Sequence, residues 1–339
     1  MGRKIRASIG SLGALGLRDI KLPAPPTTIY LMVGERCVYD CAYCSQAVNS
    51  KGSVEQLSRV VWPAVDWQEL KDTIKDAPSF IKRVCFQVVN SRGCLEDVLF
   101  FIREIKDVSS LPVSVSIRVN RMEDLEKLFE DGVERVGVAL DVATETTYSK
   151  YRGGDFKKAV DLILRAGELF KGRITTHIIV GMGETDKELY GVMKKMFDNE
   201  ITVGLFAFTP VKGTCLEDEV PPSLMRYRRI QLMRYLLGKG IEFLPEFDRK
   251  GNLISINVVR TVTLVPGTSV TVLGGKAAGD MVLTSGCAGC NRPYYNEKPL
   301  GPMFNYPLLS KEAAEKIVGV FVEREDDIDK ERVRIRFKV

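Results

Sequence analysis

Histidine is almost missing from this chain: among 339 residues there is one, His177. A metal site built from several imidazoles is thereby excluded, and a Ser-His-Asp hydrolase is disfavoured. On its expected strand, His177 reads first as a satisfied interior side chain. Long apolar runs are absent too, although 45% of the residues are hydrophobic, enough for a globular interior. The opening MGRKIRASIGSLGALGLRDI has a basic end, but its apolar part is short and broken by glycines. No cleavage site follows, so it does not read as a signal peptide. A formal charge of +5 is mild for this length, and no basic stripe interleaved with aromatics appears. Neither nucleic acid nor a membrane is an expected partner. The run EREDDIDKERVRIR near the C-terminus reads as a solvated, charge-alternating surface. The expected setting is cytoplasmic, where eight cysteines suit cluster ligation better than disulfides.

Strand and helix patterns alternate after the proline-rich KLPAPPTT. Candidate strands are Thr28–Val33, Arg83–Val88, Pro112–Arg118, Arg135–Leu140, Ile174–Val180 and Val203–Phe208. Between them, Leu95, Val98, Leu99, Ile102 and Ile105 recur at helical spacing. So do Leu125, Leu128 and Phe129, then Val160, Ile163, Leu164 and Phe170, then Leu189, Val192, Met193 and Met196. Such repeats predict an α/β fold: a parallel sheet curled into a full or partial (β/α) barrel of TIM type. From about Leu244 the turn signals DRKGN, VPGTS and LGG separate short β-like runs, and a helix pattern returns at Lys311–Gly319. The expected division is an N-terminal arm (1–27), a barrel (28–243) and a β-rich cap (244–339) closing the barrel mouth.

Three cysteines, Cys37, Cys41 and Cys44, stand in GERCVYDCAYCSQ, directly after the first expected strand. A [4Fe–4S] cube has four iron corners, and three thiolates leave one open for a small molecule. A CxxxCxxC loop can wrap three corners, and barrels of this type place their chemistry where strands end. The competing reading is zinc, since Cys41–Cys44 and Cys287–Cys290 are both CxxC pairs. That reading leaves Cys37 unexplained.

The cysteine run, sharpened by Tyr43 before its last cysteine, resembles the signature loop of the radical S-adenosylmethionine (SAM) enzymes. The likeness to the biotin-synthase-like group extends over roughly residues 28 to 260. It implies SAM chelated at the open iron and cleaved by one electron to a 5′-deoxyadenosyl radical. IIVGMGET (178–185) looks like the segment that passes under the adenine, with Gly181 and Gly183 allowing close backbone approach. Asp141, in ALDVATE, falls where these enzymes hold the SAM ribose hydroxyls. Arg152, in KYRGGDF, falls where an arginine grips the SAM carboxylate. The alternatives are a helix N-cap for Asp141 and a surface ion pair for Arg152. The glycine-rich turn usual after the second strand is replaced by FQVVNS, leaving Asn90 or Ser91 to hold the SAM amino group.

Cys85 lines up with a biotin-synthase cysteine that binds an auxiliary cluster, but the other ligating positions of that enzyme hold no cysteine here. Cys94, beside a helix start, reads as a small buried hydrophobe. The pair Cys287–Cys290, in TSGCAGCNRPYYNEKPLGP, reads as metal-ligating, with Cys215, Cys85 or both as partners in an auxiliary iron–sulfur cluster. The CAGCNRPYYNE tract resembles one subunit of the two-component lipoyl synthase. That resemblance implies sulfur insertion into a protein-bound octanoyl chain, with the auxiliary cluster as sulfur donor. Implied partners are an octanoylated lipoyl carrier, a companion radical SAM subunit and an electron donor such as ferredoxin or flavodoxin. Two alternatives stay open. One is small-molecule radical chemistry like that of biotin synthase, methylornithine synthase or hydrogenase-maturation enzymes; the other is a zinc-stapled scaffold.

Overall fold

In the computed structural model, the described residues are 5–259, 276–297, 301–307, 310, 312–314, 316, 322–326 and 332–337. A short strand β1 (Ile5–Ala7) and helix α1 (Ile9–Ala14) precede β2 (Thr28–Val33). The loop after β2 carries the three cysteines, then a ribbon of β3 (Gln56–Leu57) and β4 (Val60–Val61), then β5 (Ala64–Val65) and α2 (Trp67–Lys75). Strands and helices then alternate: β6 (Arg83–Val88), α3 (Cys94–Val108), β7 (Val113–Ile117), α4 (Met122–Glu130) and β8 (Arg135–Val138). Helices α5 (Glu145–Tyr151) and α6 (Phe156–Leu169), β9 (Ile174–Val180), α7 (Asp186–Phe197), β10 (Thr202–Ala207) and α8 (Leu224–Gly238) complete the alternation.

The six strands β2, β6, β7, β8, β9 and β10 pair in that order, all parallel. All six residues of β2 are buried, the pattern of a parallel strand covered on both faces. Beyond β2 the sheet ends in β1 and then β5, both antiparallel to their neighbours. Among the described residues β10 and β5 do not meet, so the sheet is an open, partial barrel. Residues 5–14, expected in an arm, instead supply a sheet strand and a helix; Ile5 and Ala7 belong to the core.

The helices close the outer face as their apolar spacing predicts. In α7, Thr185 and Glu188 form a capping box, which satisfies two amides left over at the helix start. Its residues Leu189, Met193 and Met196 are fully buried, each burial contributing about 1.5–3 kcal/mol. Helix α8 has no such stripe in its sequence, because Arg228 and Gln231 are buried among its apolar residues.

The C-terminal region forms a second, antiparallel sheet of β11 (Phe243–Phe247), β12 (Leu253–Val259), β13 (Val322–Asp326) and β14 (Arg332–Phe337), in the order β11-β12-β14-β13. The described residues of the run expected to be solvated surface lie on two paired strands, with Arg334 opposite Glu325 and Arg336 opposite Glu323. Ile335 and Phe337 are buried and Arg336 is exposed, so the arginine–apolar alternation has the period of a strand. The turns VPGTS and LGG lie outside the described residues. Of the helix expected at 311–319, only 312–314 and 316 are described, and these are helical.

The segment after α9 (Lys276–Met281) was expected to help close the mouth of the barrel; its Tyr295 and Asn296 do reach the cavity there, but the stretch before them lies elsewhere. It runs beneath the N-terminal ends of the strands, where Asn291 accepts from the Thr27 amide (2.6 Å) and donates to the Pro25 carbonyl (3.1 Å). Ser285 accepts from the Leu205 amide on β10 (3.1 Å), and Tyr30 of β2 donates to the Asn291 carbonyl.

Candidate functional site

The C-terminal ends of the parallel strands surround a cavity of about 240 Å³. Cys37, Cys41 and Cys44 all line it, and no other cysteine does. Their loop is tied down by its own backbone. The Cys37 amide donates to the Gln46 carbonyl (2.9 Å), and the Cys44 amide to Cys41 (3.0 Å). Arg36 donates to the carbonyls of Ser45 (2.7 Å) and Gly52 (3.1 Å). Gly34 lets the chain leave β2 with φ +91°; a Cβ there would lie 2.3 Å from the Val89 carbonyl oxygen, so only glycine fits. The loop is then pinned to its neighbours by the Val38 amide on Asn90 and the Ala42 amide on Tyr151.

All three thiols are free. Burial pushes Cys44 up to about 12 and raises Cys41 as well, so these two thiols, when bare, favour the protonated form. A bound metal reverses that preference, because its charge replaces the proton. Three soft donors on one loop fit a [4Fe–4S] cluster with one iron left for another ligand. No three His, Cys, Asp or Glu side chains among the described residues converge closely enough for a single ion. A cube tolerates that spacing, since each thiolate meets its own iron. Nor are the two CxxC pairs brought together: Cys41 and Cys44 line the mouth cavity, whereas Cys287 and Cys290 line a separate one at the floor.

Tyr43 of the cysteine loop forms one hydrogen-bonded group with Asp141 and Arg152. The Tyr43 phenol donates to the Asp141 carboxylate (2.6 Å), and Arg152 donates to that carboxylate and to the phenol oxygen (2.9 Å). Arg152 also donates to the Ala139 carbonyl (2.7 Å), while its buried Nε finds no partner. Burial, the largest single influence, would lower the Arg152 pKa, but Asp141, Tyr43, Cys41 and Tyr148 together raise it well above its usual value, so the guanidinium stays charged. Burial drives the Tyr43 phenol far up, so it stays protonated and can donate. The structure therefore joins in one ion pair the two residues expected to grip SAM separately.

Asn90 lines the cavity, but both ends of its amide are engaged by β7: it donates to the Arg118 carbonyl (2.6 Å) and accepts from the Arg118 amide (3.3 Å). Its free role toward the SAM amino group is thus not supported by this arrangement. Gly181 and Gly183 lie outside the cavity lining. Both have positive φ, and a Cβ on Gly181 would meet Pro222 at 2.7 Å. The turn is shaped from below by Glu184, which accepts from the amides of Gly181 (2.8 Å) and Met182 (2.7 Å). Arg118, unremarked in the sequence, also lines the cavity; it stacks on Tyr39 at 3.8 Å and donates to the Gly153 carbonyl (3.0 Å). Strand-end position after β7 was the only signal that could have found it.

The floor cavity is lined by Cys85, Cys287 and Cys290. Gln87 donates to the Cys85 sulfur (3.2 Å), and the Tyr30 hydroxyl lies 3.1 Å from the Cys290 sulfur. Burial pushes Cys85 up to about 12. Cys215 does not join them: it is exposed, on the loop beyond β10. Cys94 is buried at the start of α3. Tyr30, Met32, Trp62, Val89 and Tyr295 form an interior cluster against which Cys37, Cys85 and Cys290 all pack, and its Tyr295 lines both cavities. His177 lines both cavities, and burial, then the Arg292 cation, lower its pKa to about 4.

Residues 31–196 match the Radical SAM superfamily. Among curated proteins, the biotin synthase of Clostridium perfringens is 22% identical over 258 residues, covering 72% of this chain and 77% of that protein. The lipoyl synthase of Buchnera aphidicola subsp. Schizaphis graminum is 21% identical over 244 residues, 66% of this chain and 70% of that protein. The fold resembles that of HydG, a maturase of the [FeFe]-hydrogenase, with a TM-score of 0.50 and 14% identity; the match covers 62% of this chain and half of that one. Residues 31–196, which include all three mouth cysteines, thus carry a radical SAM domain, with low-identity homologues among biotin synthases and a lipoyl synthase.

Proposed function

We propose that this enzyme inserts sulfur into an unactivated C–H bond of a protein-bound octanoyl chain, as in lipoyl synthesis, with a second iron–sulfur centre as the sulfur source. The observation that carries this reading is the trio Cys85, Cys287 and Cys290, drawn together at the floor of the barrel that holds the Cys37–Cys44 loop at its mouth. When bound, the mouth cluster supplies the electron that breaks the SAM sulfonium bond. The residues of the chain do the rest. Cys37, Cys41 and Cys44 hold the cluster, and Asp141 with Arg152 presents paired charge to the ribose and carboxylate of SAM. Leu57, Val88, Ile117, Phe206, Phe208 and Val211 give the cavity an apolar wall, which suits an alkyl chain and keeps water from a reactive radical. Partners in this reading are an octanoylated lipoyl carrier, a companion radical SAM subunit for one of the two insertions, and ferredoxin or flavodoxin as reductant.

The test is anaerobic incubation with SAM, a reductant and an octanoyl-lysyl peptide, with and without a companion subunit. Mass spectrometry is expected to show hydrogen loss matched by sulfur gain. Formation of 5′-deoxyadenosine with no thiolated peptide under either condition would reject sulfur insertion.

A further inference from the structure

The interior of the barrel contains one side chain whose position the mouth site does not explain. His177 lies on β9 and lines both the mouth cavity and the floor cavity, which holds Cys85, Cys287 and Cys290. It touches the ring of Phe206 edge-on, with centroids 5.3 Å apart, and its ring nitrogens make no hydrogen bond with any described residue. Space for the ring is made by two glycines inside neighbouring strands. Gly204 stands opposite His177 on β10, and a Cβ there would come within 3.2 Å of the imidazole and 3.4 Å of Arg292. A Cβ on Gly137 of β8 would come within 3.4 Å of the ring from the other side. Glycine weakens a strand interior, so a pair of them around one ring marks a group that must fit there.

Of the other polar side chains lining the floor cavity, Tyr30, Gln87, Arg292 and Ser114 are engaged. The buried Nε of Arg292 has no partner, but a guanidinium offers no lone pair, and the hydroxyls of Ser116 and Thr175 would have to lose a proton to bind iron. Tyr30 donates to the Asn291 carbonyl, Gln87 donates to the Cys85 sulfur, and Arg292 donates to the Ser285 carbonyl (2.6 Å). Ser114 donates to the Val84 carbonyl (3.4 Å). The Tyr295 hydroxyl is buried without a partner, but a phenol must lose its proton to bind iron, whereas a neutral imidazole binds as it is.

Three thiolates leave one corner of a cube uncovered here as at the mouth, and a nitrogen donor is a known replacement for cysteine at iron–sulfur centres. We infer that His177 is the nitrogen ligand that completes the floor centre held by Cys85, Cys287 and Cys290. The inference rests on the reading of that trio as a second iron–sulfur site. A histidine ligand raises the potential of such a centre relative to an all-thiolate one.

The test uses the full chain without an affinity tag, so that His177 is its only histidine. A Cys37→Ala/Cys41→Ala/Cys44→Ala variant, loaded with iron and sulfide under anaerobic conditions, isolates the floor centre. It is expected to retain about four irons per chain. Pulsed electron paramagnetic resonance of the reduced protein should show a nitrogen coupling. That coupling should change to the ¹⁵N pattern when the protein is grown on ¹⁵N-histidine, with no mutation of the site itself. Adding His177→Ala should abolish the coupling. A loaded centre whose spectrum is indifferent to ¹⁵N-histidine overturns the ligand assignment while leaving the second centre standing. A triple variant that takes up no iron overturns both.

Discussion

Asp141 has a left-handed backbone, φ +66°, which costs a non-glycine residue of the order of 1 kcal/mol and is best tolerated by Asn and Asp. Its amide donates to the His177 carbonyl (2.8 Å) and its carbonyl accepts from Ile179 (2.7 Å), so β9 holds the conformation in place. The strain turns the carboxylate toward Tyr43 and Arg152 instead of continuing β8. The sequence located these three residues but not their mutual bonds, because partners 98 and 11 positions apart have no local signature. The cysteine loop was legible in full, since its chemistry depends on spacing within eight residues. Accordingly, Cys37→Ala, Cys41→Ala and Cys44→Ala are each expected to abolish reductive SAM cleavage, measured as 5′-deoxyadenosine. Undiminished cleavage in all three would refute the site.

At the scale of elements, the six parallel strands were read within two residues at either end, because each is a buried apolar run bounded by turn residues. Helix α8 was not readable. Arg228 is buried and donates to the carbonyls of Met303 and Phe304, so a charge occupies a position that helical periodicity reserves for apolar side chains. The same junction buries Glu297, whose carboxylate accepts from the amides of Asn305 and Asn296 (3.3 Å to the latter). Burial pushes Glu297 up to about 7 from its usual 4.5, against the pull of those amides and of Arg228. A carboxyl with a raised native pKa binds its proton more tightly when folded. Its contribution is therefore full below about 4.5 and lost as pH rises through about 7. Stability to denaturant should decline over that window by an amount on the order of a few kcal/mol in wild type. Glu297→Gln should remove that part of the decline, and identical pH profiles for the two proteins would count against it.

On the scale of the whole molecule, the consequential feature is that a late segment returns to the floor of an early sheet. Thr27 and Asn291 are 264 positions apart and joined by two hydrogen bonds, so the CxxC pair faces Cys85 from below. This arrangement places two thiol trios at opposite ends of one interior. Replacing both Cys287 and Cys290 with alanine is expected to spare SAM cleavage, remove sulfur from the product and lower iron from about eight to about four per chain. Normal thiolation by that variant would end the donor role of the floor centre.

Taken alone, the order of residues determined the spacing of the three mouth cysteines, the strand–helix alternation and the likeness to the superfamily. Each of these rests on contacts within a loop, a strand or a single turn of helix, where chain connectivity fixes the geometry. Which cysteines lie around one cavity was decided only by tertiary packing. Cys215 and Cys85 both stood as candidate partners of the CxxC pair, yet Cys215 is exposed and Cys85 lines the floor cavity. The closing of a loop of more than two hundred residues depends on the summed fit of many distant surfaces, and no short motif encodes that fit.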